Sequence, residues 1–133
     1  MNTSEMFIEF ESKFGFAETV EKLSETILEK DWKMPAIHDL QETLKKSGKD
    51  VLPVKIIELC SPKYSFQLLE KDNLRNVSSL MPCRISVYEK SNGKNYISLM
   101  NANLFANQIG GLVEIVISQA YSEIEKIIEP FRK

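Results

Sequence analysis

The stretch "CRISVYEKSNGKNYISLM", Cys83 to Met100, decides how this chain folds. Cys83, Ile85 and Val87 alternate with Arg84, Ser86 and Tyr88, the period-two pattern of a strand with one buried face. After "SNGK" a second strand runs from Asn95 to Met100, with Ile97 and Leu99 expected inward. Asn92-Gly93 tolerates positive φ and predicts a two-residue type I′ turn. Two strands joined so tightly pair antiparallel, and the sheet is therefore expected to be mostly antiparallel.

Upstream, Val54 to Cys60 is a third β-rich run, ended by Ser61-Pro62. Serine caps a helix start and proline suits its first turn, so a helix is expected there, carrying Tyr64, Leu68 and Leu69 to near Lys71. "DNLRNVSSLMP" reads as a loop. Met6 to Glu11 alternates like a strand. Phe16, Val20, Leu23 and Ile27 fall at intervals of four, three and four, one face of a helix. In "DWKMPAIHDLQE", Trp32, Met34, Ala36 and His38 would share one face of a short edge strand, which Pro35 makes irregular. Asp39 with Glu42 three positions later reads as a capping box, opening a helix that Gly48 stops. After Asn103 a long helix closes the chain on a stripe of Phe105, Ile109, Leu112, Val116, Ala120, Ile124 and Ile127. Gly110-Gly111 predicts a break or close packing inside it. Val113, Ile115 and Ile117 widen its apolar surface, which could meet a second copy, and a homodimer is the expected assembly.

The whole predicts one α+β domain over residues 1–133, a curved, mostly antiparallel sheet with helices packed on one face. Its 133 residues fit a single domain. With 43% hydrophobic and 27% charged residues, the composition is that of an ordinary globular chain. Seventeen basic residues against 19 acidic ones leave a net charge of −2. That balance points away from nucleic acid and from anionic membrane surfaces. Apolar runs fall far short of the roughly 20 residues of a membrane span. "MNTSEMFIEFESKFG" has no basic n-region and no apolar core, so no signal peptide is read there and a cytoplasmic protein is expected. In that compartment two cysteines are reduced thiols.

Those cysteines are the main chemical candidates. Cys60 stands one residue before the expected N-cap at Ser61, where helix N–H groups stabilise a thiolate. It is the better nucleophile candidate. Cys83 shares its face with Ile85 and Val87 and suits a core position, since free cysteine packs as a small hydrophobe. If their strands are antiparallel neighbours, both thiols lie at one end of the sheet. Three readings stay open: structural cysteines, a metal or redox pair, and a lone nucleophile. No CxxC supports a zinc ribbon or a thioredoxin-like site.

His38, the single histidine, also ends a strand just before a helix. With its strand parallel to that of Cys60 it would join Cys60 and Cys83 as a third soft-metal ligand, for zinc or copper. With antiparallel strands it would not. A lone histidine beside an N-cap otherwise reads as a surface residue. Glu58 reads as an edge carboxylate or a buried acid. Arg84, Tyr88 and Tyr96 would hold an anion or simply form an exposed sheet face. "QIGGL" lacks the spacing of a phosphate loop, and no Ser-His-Asp order or HExxH motif appears. No cofactor is required by any motif, and the balance leans away from an enzyme.

The runs "ELCSPKYSFQLLE", "MPCRISVYEKSNGKNYISLMN" and "NLFANQIGG", with "ETVEKL" and "IHDLQETLKKSGKDV", resemble the family catalogued as domain of unknown function 302. The resemblance covers about residues 5 to 128. It implies a compact α+β domain of TATA-binding-protein-like architecture, often a dimer, with no claim of DNA binding. It resembles most a bacterial branch with cysteines in its "ELC-x-P" and "MPCRI" segments, here Cys60 and Cys83, and a histidine at His38. The family brings no established activity. The leading expectation is thus a small binding domain for a soft metal or a thiol-reactive ligand at Cys60 and Cys83. The alternatives are a thiol enzyme with Cys60 as nucleophile and a non-catalytic dimeric interaction module.

Overall fold

The computed structural model of the chain describes residues 3–133. In order, these form α1 (Thr3–Met6), β1 (Phe7–Glu11), α2 (Phe16–Glu29), β2 (Ile37–Asp39), α3 (Leu40–Lys46), β3 (Val54–Leu59) and α4 (Pro62–Leu69). There follow β4 (Cys83–Glu89), β5 (Asn95–Met100), α5 (Ala102–Ile109) and α6 (Gly111–Ile128). Short 3-10 helices lie at Asp72–Leu80 and Glu129–Phe131.

The five strands make one sheet in the order β1-β5-β4-β3-β2, with each neighbouring pair antiparallel. The β4–β5 hairpin sits inside it, β5 flanked by β1 and β4 flanked by β3. Its alternation does what the period requires: Ile85, Val87, Ile97 and Leu99 are buried, together with Ile57 and Leu59 of β3 and Phe10 of β1. They meet Leu23 and Ile27 of α2 and Ile124 and Ile127 of α6 in one core. Each such side chain contributes roughly 1.5–3 kcal/mol by leaving water. A smaller cluster of Leu68, Val77, Val113 and Val116 lies under α4 and the Asp72–Leu80 helix. The fold is the expected α+β class, with an open antiparallel sheet.

Several local expectations change. The hairpin turn is not type I′. Gly93 has φ +80°, while Asn92 is not among the residues at positive φ. Gly93 N–H donates to Lys90 O at 2.9 Å and Lys90 N–H to Lys94 O at 3.0 Å, which closes a three-residue loop with glycine in the left-handed position. Lys94 N–H donates to Asn92 Oδ1 at 2.8 Å, so the asparagine works through its side chain. The presumed loop after α4 is a 3-10 helix, held by burial of Val77. Trp32 and His38 do not share a face: Trp32 is 2% exposed in the core, whereas His38 stands out on the sheet's other side. Between them the strand is interrupted, Lys33 bridging to Cys60 before β2 begins at Ile37.

At the double glycine the expected break is real. Gly110 and Gly111 take φ +71° and +58°, conformations a right-handed helix cannot continue through. The wide apolar surface of the last helix is mostly used within the chain. Val113 is buried in the smaller cluster and Ile117 is half-buried, which leaves Ile115, 57% exposed, facing outward. Asp39 caps α3 as read, its carboxylate accepting from Glu42 N–H at 3.0 Å.

Candidate functional site

The register of β3 against β4 places Leu59 opposite Cys83. The end of one strand therefore lies beside the start of the other, and both thiols come to the same end of the sheet. Cys60 is pinned there by paired backbone bonds with Lys33, 2.7 and 2.9 Å long. Ser61 then turns the chain into α4 with Pro62 in its first turn, although the serine side chain makes no capping bond. Folded back this way, α4 helps to close a cavity of about 70 Å³ between the sheet end, the Asp72–Leu80 helix, α5 and α6. One ordered water needs roughly 10–15 Å³ on such a measure. Leu59, Leu68, Phe105 and Val116 supply apolar walls, and both Cys60 and Cys83 line the space.

The two thiols differ in surroundings. Burial, above all, pushes the Cys83 thiol up to about 11, and the nearby Cys60 thiol would add to that if charged. The Tyr121 hydroxyl acts the other way, as a donor to the sulfur. Burial likewise raises Tyr121 well above the ordinary phenol range, with Cys83 as the second cause. Cys60 is half-buried, and its S–H donates to Ser65 Oγ at 3.6 Å. Ser65 passes its own hydroxyl proton toward Ser61 O at 3.4 Å.

His38 does not join them. Because β2 runs antiparallel to β3, His38 pairs with Ile56, toward the start of β3, while Cys60 follows its end. Its Nε2 lies 3.0 Å from Glu58 Oε2, with Arg84 Nε 3.8 Å from the same oxygen. Glu58, its side chain 15% exposed, is thus a half-buried acid shared by two bases on the outer sheet face. Among the described residues no three His, Cys, Asp or Glu side chains converge to hold a metal ion. The residues considered as an anion site already have partners in this chain: Arg84 has Glu58, and the Tyr96 hydroxyl accepts from Asn92 Nδ2 at 2.8 Å. Tyr88 stacks on Tyr96 at 6.1 Å and donates its hydroxyl to Glu9, which also pairs with Lys90 at 3.1 Å.

The family described as "Domain of unknown function DUF302" matches residues 8–131. The chain belongs to that family. A crystal structure of an uncharacterized conserved DUF302 protein from Bacillus stearothermophilus is similar, with a TM-score of 0.84 at 20% identity. The match covers 96% of this chain and 98% of that one, and at such identity it speaks for the fold alone. No curated protein matches the chain. Among the described residues no helix is long and apolar enough to cross a membrane.

One cluster in this DUF302 domain carried no signal in the sequence. Glu123 of α6 receives the Tyr64 hydroxyl, lies 3.2 Å from Lys63 Nζ and is 3.5 Å from Trp32 Nε1. Trp32 and Tyr64 both line the cavity, their rings 6.2 Å apart. The carboxylate therefore fastens α4 to α6 beside the thiols. Tyr121, Met81 and Met100 were missed as well: each reads as ordinary apolar filling until the fold brings it to the same cavity.

Proposed function

We propose that this DUF302 domain is a small binding protein that takes a soft or thiol-reactive ligand into the cavity at Cys60 and Cys83. The observation that carries the reading is that one apolar cavity is lined by both cysteines of the chain. A mostly apolar pocket with a few polar groups is the usual form of a small-ligand site. Binding is favoured over catalysis by the partners of the thiols. Activating a nucleophile takes a base within reach, yet Cys60 donates to a serine hydroxyl and His38 is bound to Glu58 on the other face. Burial lifts the Cys83 thiol to about 11, further from the thiolate form that a nucleophile needs.

Labelling of the folded protein tests this. N-ethylmaleimide, small and neutral, should modify Cys60 and change the emission of Trp32, the chain's one tryptophan, which lines the same cavity. A bulky anionic thiol reagent should be much slower, and Cys60→Ser should abolish both effects. Two thiols that stay silent until unfolding would overturn the reading in favour of an interaction module with structural cysteines. Steady turnover of a thiol substrate that is lost in Cys60→Ser would overturn it in favour of an enzyme.

A further inference from the structure

The cavity gathers sulfur beyond its two thiols. The chain has two cysteines and five methionines. Four of these seven residues, Cys60, Met81, Cys83 and Met100, line this one space. They arrive from three places: Cys60 just past the end of β3, Met81 and Cys83 at the entry to β4, and Met100 at the end of β5. Met81 packs with the smaller apolar cluster and Met100 with the main core, so the cavity lies where the two clusters meet. We infer that this cavity is a monovalent copper site, in which Cys60 and Cys83 bind Cu(I) as thiolates and Met81 or Met100 adds a thioether. The inference rests on the binding reading above and names its ligand.

The chemistry selects the ion. Thiolate and thioether sulfur are soft donors and favour Cu(I), whereas zinc in structural sites takes four ligands in a tetrahedron, commonly with histidine. His38 is engaged by Glu58 on the other sheet face, and among the described residues no histidine or carboxylate joins the two cysteines in a metal-holding group. Cu(I) is satisfied by two thiolates, alone or with one weak thioether, and needs no such donor. Binding forms two Cu–S bonds and releases both thiol protons to solvent, leaving a bis-thiolate complex of net charge −1 with no change of oxidation state. Tyr121, able to donate to the Cys83 sulfur, would steady that negative charge from outside the ligand set. The walls are mostly apolar, with Leu59, Leu68, Phe105 and Val116 among them, so few oxygen donors compete with sulfur for the ion.

The test is an anaerobic titration of the full chain with Cu(I) against a chromophoric Cu(I) chelator, with Trp32 emission and thiolate-to-copper ultraviolet absorption as further readouts. One Cu(I) per chain is expected, undisturbed by an equal amount of Zn(II). Cys60→Ser and Cys83→Ser should each weaken it on the order of 100-fold, and Met81→Leu with Met100→Leu together roughly tenfold. The leucine variants keep volume and apolarity, so an unchanged melting transition shows that the fold survives. Copper binding no tighter than that of a chain carrying both Cys60→Ser and Cys83→Ser, or stoichiometric displacement by Zn(II), overturns the inference. An undiminished affinity in the double methionine variant overturns its thioether part. If Cu(I) fails while N-ethylmaleimide still reaches Cys60 and perturbs Trp32, the copper assignment falls and the binding reading stands. If neither reagent enters, both fall.

Discussion

Alkaline titration of Cys83 measures how deeply the sheet end is closed. Its thiol is lifted from the ordinary 9.0 to about 11, chiefly by burial. A displacement of about two pH units corresponds to about 3 kcal/mol between the thiol and thiolate forms, and to about 100-fold less thiolate at neutral pH. The assay is alkylation of the metal-free protein by iodoacetamide at increasing pH, with each cysteine quantified by mass spectrometry. In the folded protein the Cys83 rate should keep rising past pH 9 and level near 11, while in the unfolded chain it levels near 9. Stability follows with a definite sign. Between these values the unfolded thiol has lost its proton and the folded one has kept it, so the unfolded state binds fewer protons and stability falls as pH rises. The contribution is whole below about 9 and gone above about 11. Its size is at most about 3 kcal/mol. Tyr121 and Tyr88, also raised by burial, steepen the same decline at higher pH. Cys83→Ala should remove the earlier part of the slope. A folded-state rate that levels near 9, or an alanine variant with an unaltered alkaline slope, would refute the reasoning.

Further outcomes follow from the packing. Ile85→Ala, at the fully buried centre of β4, should cost about 2–5 kcal/mol in urea denaturation. A loss below about 1 kcal/mol would mean that the sheet–helix core is placed wrongly. Gly93→Ala meets nothing within 4 Å at its new Cβ, so its cost is backbone strain at φ +80°. About 1 kcal/mol is expected, read as a lower melting temperature; no change would mean that the turn closes differently. Glu123→Ala removes the partner of Tyr64 and Lys63. Amides of α4 should then exchange faster and Trp32 emission should shift, with β4 amides unaffected; a uniform loss of protection would argue against a local fastening.

Much of the fold was legible because its signals are local. Ile85, Val87, Ile97 and Leu99 lie inward since a strand's faces alternate whatever surrounds it. Val20, Leu23 and Ile27 line α2 because spacings of three and four share a helical face. The break at Gly110-Gly111 and the cap at Asp39 are decided by the residues themselves. The Asn-Gly turn was only half legible, because the same dipeptide serves a two-residue and a three-residue loop, and strand twist and register choose between them.

The site was legible only in part. That Cys60 and Cys83 could share one end of the sheet followed from chain order, but only the Leu59–Cys83 register made them neighbours. The direction of β2 took His38 to the opposite face and paired it with Glu58. Met81, Met100, Tyr121 and Glu123 look like ordinary apolar or solvated positions along the chain, and α4, α5 and α6 must fold back together before they meet. Periodicity and caps depend on side chains two to four residues apart, and so the sequence by itself determined most of the elements and the buried faces of α2, β4 and β5. Which groups surround the cavity depends on contacts between distant segments, whose order and direction are settled by burying all the apolar faces at once; that, only the tertiary structure decided.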